Sequence, residues 1–128
     1  MDSASGPFKV CGSCRRAWPT WDGFVQDPDV RLLGLQSLAT HPGSNLIVFE
    51  HSCGSSISVL ARRLRHLLPE PDSGAPLPVL FGTAECRGHC RSLQDLEACD
   101  APCANVRDRA LVLLIHCLKK AAPDCVRA

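Results

Sequence analysis

The segment "NLIVFEHSCGSSISVLA" (residues 45–61) decides how the rest of the chain is read. An apolar run of strand length, 45–50, reaches a polar tight turn at 51–56, and a second apolar run follows at 57–61. Two β-rich runs around a Gly-containing turn predict paired strands. The turn itself carries His51 and Cys53. Residues i and i+2 of an extended chain point to one face, so this pair is expected to aim at one point.

Upstream, "VRLLGLQSLA" (30–39) is another strand-length apolar run, joined to 45–50 by the turn cluster "THPGS". That predicts a β-hairpin, extended to three strands by 57–61. "PTWDGFVQDP" (19–28) predicts one helical turn, with Thr20 as N-cap and Pro28 as its stop. Downstream, "RRLRHLL" (62–68) predicts a short helical stretch with Leu64 and Leu67 or Leu68 on the same side as Leu60.

The remaining organisation follows from composition. Residues 1–9 form a flexible lead-in, 10–68 a β-rich part and 69–78, "PEPDSGAPLP", a stiff Pro-rich linker. Residues 79–128 hold "VLFGTAE" (79–85), read as a short strand, then a Cys-rich loop and a C-terminal helix from about Val106 to Ala122. Asn105 is the expected N-cap, with Asp108 placed for a capping box. Val106, Ala110, Leu113, Leu114, Cys117 and Ala121 share one face, with Val112 and Ile115 on the other side, so a helix apolar nearly all round is expected to need cover on more than one face. The fold class is therefore α+β. It combines a small antiparallel β-hairpin or meander with zinc-ribbon-like loops, a Cys-rich segment and a terminal helix. All of it fits one domain of 128 residues.

Nine cysteines in a chain of this length are the unusual feature. No apolar leader opens the chain and the run from Ala110 to Ile115 is too short to span a bilayer. The expected compartment is the cytoplasm, where clustered thiols serve metals or catalysis more often than disulfides. A net charge of +1 gives no nucleic-acid signal, and the basic stretch 61–66 has no aromatic stacking platform.

"KVCGSCRRAW" (9–18) places Cys11 and Cys14 in a C-x-x-C pair. A haem tether would need His at 15, where Arg15 stands. A redox pair belongs in a βαβ setting, which the hairpin context does not supply. Cys11, Cys14, His51 and Cys53 together make a Cys₃His set suited to structural zinc. Cys86, Cys90, Cys99 and Cys103 form a second group, with His89 as a possible substitute ligand. Gly88 and Pro102 interrupt its two C-x3-C pairs, which argues against a disulfide-stapled helical hairpin. Zinc is the expected metal, and an iron–sulfur cluster is the alternative at the second group. Cys117 reads as a core residue and Cys125 as a free thiol.

The succession "CGSC…W…WDGFVQDPDVRLLGLQ…FEHSCGSSISV…CRGHC…LEACDAPCANVR" resembles a family of small bacterial Cys-rich proteins with no established activity. There a C-x-x-C, an H-x-C-G-[ST]-[ST] turn and two later Cys pairs recur in this order. The resemblance covers roughly residues 11–109 and implies shared metal ligands. Trp21, Phe24, Asp27 and Pro28 match as packing and turn residues. The Pro-rich insert before Cys86 is longer than that pattern.

Enzyme signals are thin. No P-loop, G-x-G-x-x-G or G-x-S-x-G occurs. Asp22, Asp27 and Asp29 read as a solvated acidic turn, and His41 as a surface residue. The expected function is a metal-binding module acting on a protein partner, with a homodimer through the terminal helix as one possibility. The rival is a redox or electron-transfer protein using Cys86 to Cys103.

Overall fold

The computed structural model describes residues 6–37, 42–69, 77–80, 83–97, 99 and 103–120. The architecture is α+β, with two antiparallel sheets and a long helix near the C-terminus. The first sheet is a two-stranded ribbon, β1 (Lys9–Val10) with β2 (Ala17–Trp18). Helix α1 (Trp21–Val25) follows at once. The Thr20 side chain accepts a hydrogen bond from the Gly23 amide, as the sequence predicts. The second sheet is β3 (Val30–Gln36), β4 (Leu46–His51) and β5 (Ser56–Leu60), in that order. Thus β4 is central, pairing from Leu46 opposite Leu60 to Glu50 opposite Ser56, and its Ile47, Val48 and Phe49 are buried. A central strand covered on both faces reads as a continuous apolar run, which is how 45–50 reads.

Two aromatic contacts tie the small ribbon to the sheet. Phe49 and His51 lie two residues apart, so they share one face of β4. Phe24 of α1 meets Phe49 edge-on at 4.9 Å, and Trp18 of β2 meets His51 edge-on at 5.1 Å. Trp18 and Phe24 in turn pack at 5.1 Å. This aromatic row seats the C-x-x-C loop beside the end of β4.

The stretch after β5 forms two short 3₁₀ turns, Ala61–Arg63 and Arg65–Leu67, with Leu64 buried between them. Helix α2 spans Val106–Lys120. Its deepest apolar residues are Leu111, Val112 and Ile115, while Val106, Ala110, Leu113 and Leu114 are only partly buried. Cys117 is buried on one side and Val112 and Ile115 on the other, so the helix is covered on more than one face, as its apolar pattern requires. The side that carries Val112 and Ile115 is the deeper one. The cause is polar. Asp108 and Arg109 are buried, and their bonds fix how the helix rolls. Asp108 accepts a two-pronged bond from Arg65, at 2.8 Å on each oxygen, and a third from Asn45 at 3.0 Å. Asn105 accepts from Asn45 and donates to Ser37. Both side chains expected to cap α2 are thus spent on the β3–β4 and β5 connections.

The expected strand at 79–85 is absent among the described residues: 77–80 are irregular and 83–85 form a bend and turn, with 81 and 82 outside the description. This segment is held by single bonds instead, such as Ala104 N–H to the Pro78 carbonyl at 2.7 Å. The body of the Pro-rich linker (70–76), His41 and Cys125 also lie outside the described residues. Cys117 is buried, as expected of a core residue, and is disulfide-bonded. Among the described residues no helix is long and apolar enough to cross a membrane.

The Cys-rich segment docks on β3 at one point. Gly34 has φ +151°, and a Cβ there would lie 1.4 Å from the Leu93 carbonyl oxygen. The pairing of β3 with β4 shifts register between Leu32 and Gly34. A bulge with a glycine lets another backbone approach this closely.

Candidate metal centre

Each half of the first Cys/His group comes from a turn closed by backbone bonds. In the first, the Cys11 amide donates to the Arg16 carbonyl at 2.8 Å and the Arg15 amide to the Cys11 carbonyl at 3.0 Å. This folds Cys11 and Cys14 back toward each other between β1 and β2. Arg15 takes φ 71°, a left-handed conformation that is costly for a residue with a Cβ. In the second turn, the His51 amide donates to the Ser55 carbonyl at 2.9 Å and the Gly54 amide to the His51 carbonyl at 2.8 Å. Gly54 takes φ 95°, which suits glycine. The extended geometry expected for residues 51–53 does not continue past the end of β4. Cys53 lies in the turn, and it is the turn that brings its sulfur to the histidine ring.

The four donor atoms, three Sγ and a ring nitrogen of His51, all lie within 4.8 Å of one another. Cys11 Sγ is 3.6 Å from Cys53 Sγ. His51 Nδ1 is 3.2 Å from Cys53 Sγ and 3.5 Å from Cys14 Sγ. Zinc bonds of ~2.3 Å to sulfur and ~2.0 Å to nitrogen, set tetrahedrally, put sulfurs ~3.8 Å apart and sulfur and nitrogen ~3.5 Å apart. The four atoms as a set lie within 4.8 Å, and these three separations lie within about 0.3 Å of those lengths. They are far from the ~2.05 Å of a disulfide, and all three cysteines are free thiols.

The electrostatics favour ionised sulfur at Cys11 and Cys53. The Cys14 amide and the Ser55 hydroxyl, with smaller help from the Ser13 amide and Cys53, lower the Cys11 thiol to about 5 against the push of burial. Cys53 is lowered by the Ser55 hydroxyl and amide. The Arg16 amide lowers Cys14, but burial and the nearby sulfurs of Cys11 and Cys53 outweigh it and the thiol is raised. The Cys53 sulfur raises His51, against burial. Three sulfurs and an imidazole held this close repel or share protons until a cation replaces them, which is the linkage between metal binding and proton release.

Three supporting residues were not legible as such in the sequence. Ser55 Oγ stands 3.0 Å from Cys11 Sγ and 3.1 Å from Cys53 Sγ. Trp18 packs on the His51 ring and donates its indole N–H to Asp27 at 2.7 Å. Asp27 also accepts from Arg16 at 2.8 Å and from the Asp29 amide at 2.8 Å. The solvated-turn reading of Asp27 is therefore corrected: it is buried and binds three donors. The sequence signal was Trp18, four residues after Cys14, since a buried indole needs an acceptor.

The second group gathers less tightly. Cys86, Cys90, Cys99 and Cys103 line one cavity with His89 and Arg109. Among the described residues, however, the Cys11–Cys53 set alone brings three or more donor atoms within 4.8 Å. His89 sits in a single 3₁₀ turn, His89–Arg91, and its Nδ1 lies 2.9 Å from Asp95. Among the described residues no α-helix carries Cys86 or Cys90, in keeping with Gly88, which takes φ 87°. Burial pushes the Cys90 thiol up, Arg109 pulls it down, and Cys103, Cys86 and Cys99 push it up further.

Comparison with protein-family models, with curated proteins and with solved structures found no match for this chain. Fold and site define a small α+β protein whose Cys₃His group has the geometry to hold a metal ion.

Proposed function

We propose that this chain is a structural zinc protein, with Cys11, Cys14, His51 and Cys53 as the complete ligand set. The observation that carries the reading is the convergence of four donor atoms within 4.8 Å from two turns some forty residues apart. Three thiolates and one imidazole suit zinc. Four protein donors leave no open position for a water or substrate, which separates this site from hydrolytic zinc centres. The ion's work is mechanical. It fixes the β1–β2 and β4–β5 turns against each other, and its binding energy becomes folding energy. What this produces is a rigid face for contact with a partner protein.

Elemental analysis of freshly purified protein tests the reading. Zinc is expected in the parent and lost from this site in the Cys11→Ser, Cys14→Ser double variant. Removing the ion with a strong chelator is expected to destabilise the fold by an amount comparable to its whole stability. Zinc-finger sites contribute ~10–16 kcal/mol on binding, against ~5–15 kcal/mol for a typical domain. A double variant that retains its full metal content and melts like the parent rules the proposal out.

A further inference from the structure

The cavity beneath the Cys-rich segment holds an anomaly. Arg109 is fully buried on α2 and lines the cavity with Cys86, Cys90, Cys99 and Cys103. Its Nε donates to the Glu97 carbonyl at 3.0 Å, and its Nη2 to the carbonyls of Asp95 and Glu97 and to Asp95 Oδ1 at 3.1 Å. Its Nη1 has no hydrogen-bond partner at all. A buried cationic donor without an acceptor is costly, and native structures rarely leave one unexplained.

The sulfurs around it already receive amides. Cys103 Sγ accepts from Leu80 N–H at 3.3 Å and from Asn105 N–H at 3.5 Å. Cys86 Sγ accepts from Gly88 N–H at 3.4 Å. Neutral thiols are weak acceptors; thiolates are strong ones, and amide bonds to sulfur are a recurrent outer layer of thiolate metal sites. Among the described cysteines all four of these are free thiols.

We propose that Cys86, Cys90, Cys99 and Cys103 form a second metal site that takes one thiophilic divalent ion, with Arg109 as its buried counter-charge. Four thiolates around a divalent ion carry a net charge of −2. Arg109 lines the same cavity, and one of its nitrogens is left over by its carbonyl and carboxylate partners to balance that charge. Asp95 takes up the opposite edge of the guanidinium and also contacts His89 Nδ1. The cavity, about 10 Å³, has room for roughly one water-sized body. The four sulfurs sit on irregular chain, apart from any long helix or strand. Each thiol that ligates gives its proton to solvent as the ion enters, and no electron is transferred.

The test is metal stoichiometry on the full chain, read together with cobalt(II) substitution. Two equivalents of zinc per chain are expected in the parent and one in Cys90→Ser with Cys103→Ser. Arg109→Met is expected to weaken this second site by about 10–100-fold, with Arg109→Lys restoring part of the loss. The Cys₃His site is to keep its zinc in all of these variants. One equivalent in the parent, unchanged by Cys90→Ser with Cys103→Ser, overturns the proposal. So does iron with visible absorbance that this pair of substitutions abolishes. If the double variant fails to fold, cobalt(II) titration of the metal-stripped parent decides: two saturable steps with sulfur-to-metal charge-transfer absorbance are expected, and a single step refutes the second site. The two sites fail independently, because Cys11→Ser with Cys14→Ser removes the other equivalent.

Discussion

Gly34→Ala is the sharpest structural test of how the Cys-rich segment is held. The added Cβ would stand 1.4 Å from the Leu93 carbonyl oxygen, a backbone atom that cannot swing aside. Reaching a normal contact means moving that backbone by roughly 1.6 Å or more, an overpacking that costs about 1–3 kcal/mol in a well-packed region. The φ of +151° adds backbone strain of about 1–3 kcal/mol for a residue with a Cβ. The total, about 2–6 kcal/mol, corresponds to a fall in Tm of about 8–24 °C for a chain of this size. Circular-dichroism melts at fixed zinc concentration measure it. Gly43→Ala is the control: its Cβ meets nothing within 4 Å, and its Tm is expected to move by about 3 °C or less. Because Leu93 lies between Cys90 and Cys99, the Gly34 variant is also expected to lose metal from the second site before the first. A Gly34→Ala protein that melts within about 3 °C of the parent refutes the reasoning, since the clash would then not exist.

Asp108→Ala is expected to cost about 3–5 kcal/mol in urea denaturation, because it leaves Arg65 and Asn45 facing a buried gap; a change below about 1 kcal/mol would show that the network is not coupled to folding. Arg15→Gly relieves a left-handed strain of about 1–2 kcal/mol and adds back about 0.4–1 kcal/mol of chain entropy, so a small net gain in stability is expected in the same assay. Asp27 supplies a pH signature. Burial alone would raise its carboxyl, but the Trp18 indole, the Asp29 amide and the charges of Arg16 and His51 outweigh it and hold the carboxyl below its usual range. Its contribution to stability is therefore complete above the unfolded value of ~3.9 and is lost as pH falls through the lower folded value. Asp27→Asn is expected to lower stability at pH 7 and to flatten the acid limb of the stability–pH curve; an unchanged limb below pH ~4 would count against the assignment.

Elements whose cause is local were legible in the sequence. The turn at 51–56 and its flanking apolar runs specify β4 and β5, because alternation and turn chemistry act within a few residues. Thr20 caps α1 because its acceptor reaches an amide three residues on. The ligand set Cys11, Cys14, His51 and Cys53 was legible because soft donors at knuckle spacing leave few other uses in a chain with this many thiols. The roll of α2 was not, because it depends on Arg65 and Asn45, more than forty residues away in sequence from Asp108. Nor was the bulge at Gly34, whose reason is a backbone nearly sixty residues downstream.

The sequence alone therefore determined the donor atoms and the turns that carry them, since both follow from residue type and short-range geometry. Only the tertiary structure decided that the two turns meet. The aromatic row of Trp18, Phe24 and Phe49 sets the ribbon on the face of β4 that carries His51, and no local rule encodes that docking. It also decided that Arg109 is buried beside four cysteines around one cavity, with one nitrogen left unpartnered. Burial of a charge is a property of the packed chain, and its partner cannot be read until the chain is folded.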